Sequence, residues 1–540
     1  MALAPGRRSG ILLPLFSMPS SASWGIGEIG DIPHLAAWLR DARQDLLQLL
    51  PINEMAIGQR SPYSAMTAMA IDPIFISVHA VDEFQAIGGE TAMGEAWREQ
   101  LAAARRSPAI DYALVRRVKE PALRAAFAEF VRRRAQPGYG AAPAFQAWAA
   151  AESWWLDDYA TFRALHAQQH DRPWTEWPKP LRLRNPMALA VARVELAGEV
   201  LYRKWLQWTA DTQWRRAKAQ AQPVSLLGDF AFMVDGDSAD VWANASSFRL
   251  DASVGAPPDA FSAEGQKWGM PVYQWDKVAA DDFTWLRARA RRTAALFDGY
   301  RVDHLVGFYR TYMFPGDGSP ARFTPTEQDA QLALGEVVLS ILSQAGATIV
   351  AEDLGTVPDF VRESLRRLNV PGYKVFRWER HWKTKGQPYR APSAYPAASV
   401  ATSGTHDTET NAVWWDGLDA TERAAVLATP GVARRASRLA EPAGAFTPEL
   451  RDLLLEVLFA SGSDFLLLPF QDLFGWRDRI NTPADLGPQN WTWRLPWPVD
   501  TLASEPEAQD RAGALRRWSA RYRRGRASAG SAELRRRGST

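Results

Sequence analysis

Three polar sequences along the chain each close a run of strand-forming residues. One reads Arg301-Val302-Asp303-His304, a second Ala351-Glu352-Asp353, and a third Gly404-Thr405-His406-Asp407. Together they supply carboxylates, a guanidinium and imidazoles. Two carboxyl groups in opposite protonation states are what retaining glycoside chemistry needs. One attacks the anomeric carbon; the other protonates the departing oxygen and later deprotonates the incoming nucleophile, across a gap of about 5–5.5 Å. Arg301 lies two residues before Asp303, hence on the same side of a strand, and favours the ionised aspartate. Glu352, set among apolar residues and other carboxylates, is expected to keep its proton. Each residue alone has an ordinary explanation: an aspartate ending a strand is often a turn former or helix cap, and a lone histidine is more often a hydrogen-bonded structural residue. The constellation, rather than any member, points to a barrel enzyme working on sugars.

The elements that would position these groups are visible as short runs at 46–52, 73–78, 224–234, 298–303, 348–353, 373–377, 399–405 and 465–472. Most are largely apolar, as in strands covered on both faces. Helical patterns such as 32–42, 327–344 and 358–368 separate them. Eight strands alternating with helices predict an α/β protein, a (β/α)8 TIM barrel, with reactive groups at the C-terminal ends of the strands. The spacing predicts a barrel start at 1–79 (strands 1 and 2) and an inserted helical subdomain at 80–220. The remainder of the barrel follows at 221–510, with a Gly/Pro-rich active-site loop at 255–275, and then a basic helix and tail at 511–540. No β-sandwich domain is expected after the barrel. The arginines at 516, 517, 521, 523, 524 and 526 are read as a solvated terminus.

Composition narrows the class. The 540 residues carry 63 basic and 61 acidic side chains, so overall charge gives no reason to bind nucleic acid. There are no cysteines, which excludes disulfides and thiolate metal sites and fits a cytoplasmic location. The seven histidines show no metal-ligand spacing, and neither metal nor organic cofactor is expected. No apolar stretch is long enough to span a membrane. Arg7-Arg8 ahead of the apolar run 11–16 loosely resembles a signal peptide, but the run is short and broken by Pro14. Twenty-four tryptophans modestly favour carbohydrate, whose C–H faces suit aromatic rings.

Longer motifs sharpen the reading. Ser61-Pro62-Tyr63, "WLDDY" at 155–159 and "DSADVW" at 237–242 come first. The loop "GAPPDAF" at 255–261 with "GQKWG" at 265–269 follows, then the three strand endings, "PFQD" at 469–472 and "NWTWR" at 490–494. In this order, through most of the chain, the sequence resembles the amylomaltase or 4-α-glucanotransferase family of the α-amylase clan. The resemblance implies transfer of α-1,4-glucan segments from malto-oligosaccharides to the 4-hydroxyl of glucose or another α-glucan. It implies Asp303 as nucleophile, Glu352 as general acid/base and Asp407 as a third carboxylate gripping sugar hydroxyls. Arg301, His304 and His406 would bind at the cleaved glucose. Tyr63 would stack on that ring, beside Ser61. Asp259, Gln266 and Trp268 would arch over the groove, and Asn481 would sit near the same pocket. Two segments depart from the family pattern: "LPLFSMP" at 13–19, where a His-Pro-Thr-Ser type is usual, and "FRWERHW" at 376–382, which is more charged and aromatic. The alternatives are an α-glucan hydrolase of the same clan and a non-catalytic glucan-binding protein.

Overall fold

The computed structural model describes residues 3, 6–258, 265–437, 439, 441–485 and 487–525. Eight parallel strands close into a barrel in chain order: β1 (Arg8–Leu12), β2 (Leu46–Gln48), β3 (Ser225–Phe230), β4 (Gly299–Val302), β5 (Thr348–Ala351), β6 (Gly372–Val375), β7 (Ser399–Thr402) and β8 (Phe465–Pro469), with β8 pairing back onto β1. The fold is the (β/α)8 barrel. Leu46, Leu227, Val350, Tyr373, Val400 and Leu467, one from each of six strands, form a single buried cluster that fills its interior. Helices that cover the strands include α1 (Ile32–Asp41), α2 (Ala197–Ala221), α3 (Thr284–Leu296), α4 (Gln328–Gln344), α5 (Asp359–Arg367), α6 (Pro448–Phe459) and α7 (Pro506–Tyr522). The connection from β6 to β7 is covered differently, with only two 3₁₀ turns, Phe376–Trp378 and Pro392–Ala394.

Two of the sequence expectations are corrected. The run 73–78 is no strand. It forms 3₁₀ turns at Pro73–Phe75 and Val78–Ala80, because Pro73 brings no N–H to a ladder and the Asp72 carboxylate accepts the N–H of Ile74, capping a turn instead. Ile74, Ile76 and Val78 are buried all the same, so the apolar signal was real and only its backbone form differed. The missing strand is β1, in the stretch that loosely resembled a signal peptide. Arg8 opens it fully buried, its charge met by Asp45 at 3.0 Å and its Nη2 donating to Ser225. After β8, no strand occurs among the described residues.

The reading of the C-terminal arginines is corrected at Arg524 alone; Arg516, Arg517, Arg521 and Arg523 are exposed, and Arg526 lies outside the described residues. Helix α7 buries Ala508, Ala512, Leu515 and Trp518, an i, i+4, i+7, i+10 stripe, against the barrel. Arg516 pairs with Asp41 and Arg521 with Glu456. Arg524 is buried and donates to the carbonyls of Phe459 and Ser463, tying the chain end beneath β1 and β8. A charge read without its tertiary partner looks solvated; Arg524 finds its partners through barrel closure.

Beyond β3 and β4 the chain builds a small antiparallel sheet. Arg322–Thr324 pairs with Thr311–Pro315, that strand with Ala252–Ala256, and the last with Gln266–Lys267. The helical turn Val306–Tyr309, which leads from β4 into this sheet, is pressed against α4. A Cβ added at Gly335 of α4 would lie 2.2 Å from the Tyr309 ring. Alanine in a helix normally gains about 1 kcal/mol over glycine. Here we expect the opposite sign: Gly335→Ala should lower stability by about 1–3 kcal/mol through overpacking. Urea unfolding monitored by circular dichroism checks this, and an unchanged or raised midpoint would refute the packing argument.

Candidate active site

The strand register assembles the site. Asp229 of β3 and Arg301 of β4 are direct ladder partners, so their side chains leave the same side of the sheet. The Arg301 guanidinium meets Asp229 at 2.8 Å and Asp303 at 2.8 Å, and lies 3.9 Å from Glu352. One position past the paired Val302 and Ala351, Asp303 and Glu352 leave adjacent strand ends; the Glu352 N–H still donates to the Val302 carbonyl. Arg301 itself is only 4 % exposed. Burial opposes its charge, but Asp229 and Asp303 outweigh burial and hold it firmly protonated.

Glu352 is set apart from its neighbours. Burial, reinforced by the negative charge of Asp303, pushes its carboxyl up to about 7, against the pull of Arg301. Its oxygens accept the N–H groups of His304 (2.8 Å) and Leu354 (3.0 Å). His304 itself adopts the left-handed conformation at φ 42°, a rare state for a non-glycine residue. The His304 imidazole is packed edge-on between Phe232 and Trp268, and burial lowers it to about 4, so it is neutral.

On the far side of Arg301, Asp407 follows β7. Burial would raise its carboxyl, but His406 and Asn481 bring it down to about 2. Asn481 donates to it at 2.6 Å, and Nε2 of His406 is 3.2 Å away. Tyr63 joins the two halves. Its hydroxyl donates to Asp229 at 2.8 Å and lies 3.1 Å from Nε2 of His406, on whose ring it stacks at 18°. Ser61 accepts the N–H of Tyr63 and shapes that turn. Gln266 accepts from the indole of Trp268, whose ring stands over His304. The structure thus brings together Asp303, Glu352, Asp407, Arg301, His304, His406, Tyr63, Trp268 and Asn481, with Gln266 beside Trp268 and Ser61 beneath Tyr63. Asp259 lies outside the described residues.

Comparison with known proteins settles the kinship. Residues 13–500 match the family profile described as 4-α-glucanotransferase. The 4-α-glucanotransferase of Chlamydia pneumoniae is 30% identical over 511 residues, covering 92% of this chain and 93% of that protein. That of Thermus thermophilus is 31% identical over 509 residues, covering 91% and 95%. The chain belongs to the 4-α-glucanotransferase family. Among solved structures, amylomaltase from Streptococcus agalactiae in complex with acarbose superposes with a TM-score of 0.79 at 25% identity, covering 96% of this chain and 100% of that one. Amylomaltase from Corynebacterium glutamicum shares the fold with a TM-score of 0.78 at 24% identity, covering 95% and 75%.

Two residues of this 4-α-glucanotransferase-family site stand in motifs of the sequence, Gly228-Asp229 and "NWTWR", but were assigned no role there. Asp229 is buried, and burial, only partly offset by Arg301, raises it to about 6. It stands near the C-terminal end of β3, where the strand-end criterion applies, but the apolar run 224–234 continues five residues past it and hid the end. Trp491, whose ring tilts against both Tyr63 and His406, lies within the "NWTWR" motif at 490–494, but its irregular segment far along the chain gave no sign of a place in the site. No helix of the described residues is long and apolar enough to cross a membrane.

The shared guanidinium gives a direct test. Arg301→Met leaves Asp229 and Asp303 near one another without their counter-charge. We expect a loss of about 3–5 kcal/mol at pH 7. The loss should shrink toward pH 5, because the stranded carboxyls there regain protons and shed their mutual repulsion. Urea titrations at the two pH values measure it; a deficit independent of pH would argue against electrostatic coupling.

Proposed function

We propose that Asp303 and Glu352 carry out glucan transfer by a retaining double displacement, within a groove that takes malto-oligosaccharides as donors and glucose or another α-glucan as acceptor. Asp303 attacks the anomeric carbon, and the glycosidic C–O bond breaks as Glu352 gives its proton to the leaving oxygen. A glycosyl ester on Asp303 results. Glu352, now a carboxylate, takes the proton of the acceptor 4-hydroxyl, whose oxygen displaces Asp303 and re-forms an α-1,4 bond. The observation that carries this reading is the split between carboxyls sharing one guanidinium: Asp303 in direct contact with Arg301, and Glu352 buried and raised to about 7. Asp407, held ionised at about 2, is suited to gripping sugar hydroxyls and to stabilising positive charge on the ring in the transition state. Trp268 and Gln266 would cover the reacting sugar, and Tyr63 would offer it an aromatic surface.

Incubation of the pure protein with maltotriose tests the reaction. We expect glucose and a ladder of longer glucans at a constant number of reducing ends. Rising reducing ends with only shorter products would assign hydrolysis instead. Asp303→Asn should remove turnover by about 10³-fold or more.

The pH profile tests the acid. Glu352 must be protonated to act in the first step, and with its carboxyl at about 7 the competent fraction falls about tenfold per unit above that. The basic limb of kcat/KM should therefore bend near pH 7. Glu352→Gln should lose that limb together with most activity on maltotriose, while first-step cleavage of an aryl maltoside, whose leaving group needs no proton, is largely spared. Equal losses on both donors would reject Glu352 as the acid.

A further inference from the structure

A second cleft lies next to the connections that follow β4 and β5, outside the carboxylate cluster. It has a volume of about 610 Å³ and is walled by Arg310, Phe323, Gln328, Asp359 and Phe360. Such a size lies within the range of small-ligand sites. Arg310 directly follows the turn Val306–Tyr309, six residues past His304, and Asp359 and Phe360 open α5, seven and eight residues past Glu352. The cleft therefore shares its supporting segments with the candidate active site.

Arg310 supplies the positive charge of its lining. The guanidinium carbon lies 4.1 Å from the centroid of the Phe323 ring, and its buried Nε has no hydrogen-bond partner among the described residues. No carboxylate among those residues pairs with it either. Burial alone lowers its pKa, with no charged neighbour acting on it. Arg301, Arg292 and Arg377 each pair with a carboxylate, which Arg310 does not do among the described residues. A guanidinium stacked on an aromatic face has its in-plane donors directed outward and unspent.

The lining discriminates between ligands. A dedicated anion site would gather positive charge, whereas here Asp359 lines the cleft together with Arg310 and Glu327 precedes Gln328 at the start of α4. One guanidinium, one carboxylate, an exposed amide and two phenylalanine rings suit a neutral polyhydroxylated ligand, with rings for its C–H faces and polar groups for its hydroxyls. The sheet gives the cleft a route to the chemistry. Phe323 lies on the edge strand Arg322–Thr324, and Gln266, beside Trp268 and His304, lies on the opposite edge strand of the same sheet.

We infer that the Arg310–Phe323–Phe360 cleft is an accessory site for an α-glucan chain, holding long substrates at a distance from the bond that is cut. This rests on the glucan-transfer reading and adds a chain-length preference to it. The test compares kcat/KM on soluble amylose and on maltotriose for Arg310→Ala and Gln328→Ala. Gln328 is exposed at a helix start, so that variant keeps the test open should loss of Arg310 disturb folding. We expect the amylose value to fall about fivefold through KM, the scale of one lost stacking or hydrogen-bonding contact, with maltotriose unchanged. A selective loss in either variant supports the site. Unchanged amylose values in both, or equal falls on the two substrates in both, overturn it. If the unaltered protein fails to disproportionate maltotriose, the functional reading falls first and this inference with it; if it succeeds and no selective loss is seen, only the accessory site is lost.

Discussion

The arrangement at the barrel mouth depends on one buried cation. Arg301 is surrounded by Asp229, Asp303 and Glu352, and without it those carboxyls could not share so small a volume at neutral pH. Like charges this close drive one another toward protonation. The guanidinium touches Asp229 and Asp303 at 2.8 Å and lies 3.9 Å from Glu352, whose burial raises it to about 7. That cation lies in the strand itself, where ladder register fixes its position more tightly than a loop could.

Much of the molecule can be understood as support for that geometry. The β3–β4 register places Asp229 opposite Arg301, and Tyr63 bonds Asp229 and stacks on His406, carrying the network across the barrel to Asp407. On the other side, the strained His304 backbone supplies an N–H to Glu352 while its neutral ring seats Trp268. A conformation that costs of order 1–3 kcal/mol persists only where neighbours over-determine it. Here the Glu352 hydrogen bond and the aromatic packing of Phe232 and Trp268 do so.

How far this was legible in the sequence follows from what kind of information each feature uses. Asp303, Glu352 and Asp407 were visible because barrel strands announce their C-terminal ends as apolar runs giving way to polar residues, a local signal. Asp229 was hidden because Ala231 to Val234 prolong the apolar run beyond the strand. The stretch 73–78 has the composition of a strand but a capped proline turn overrides it, while β1 begins with a buried arginine whose partner, Asp45, is 37 residues away. Arg524 was misread for the same reason: charge is read as exposure unless the partner is known, and the Phe459 and Ser463 carbonyls are brought to it only by barrel closure. Local periodicity and strand ends can be read directly; counter-charges supplied by closure cannot.

Carboxylate geometry does not separate transfer from hydrolysis, since both pass through the same glycosyl ester. In the proposed mechanism the distinction lies in how an acceptor competes with water for the glycosyl group carried by Asp303. Water has concentration on its side; an acceptor sugar has orientation, and a well-placed group can act at an effective molarity of about 10⁵ M. That advantage must come from surfaces beyond the carboxylates. In this chain the small sheet grown between β3 and β5 is the element in position to provide it, since it presents Gln266 and Trp268 over His304 at one edge and the Arg310–Phe323 cleft at the other. A rigid sheet fixes the spacing between those two edges. Holding a chain at the far edge would keep its end near Asp303 for longer than diffusion allows, and would weight the competition toward sugar without altering the carboxylates at all.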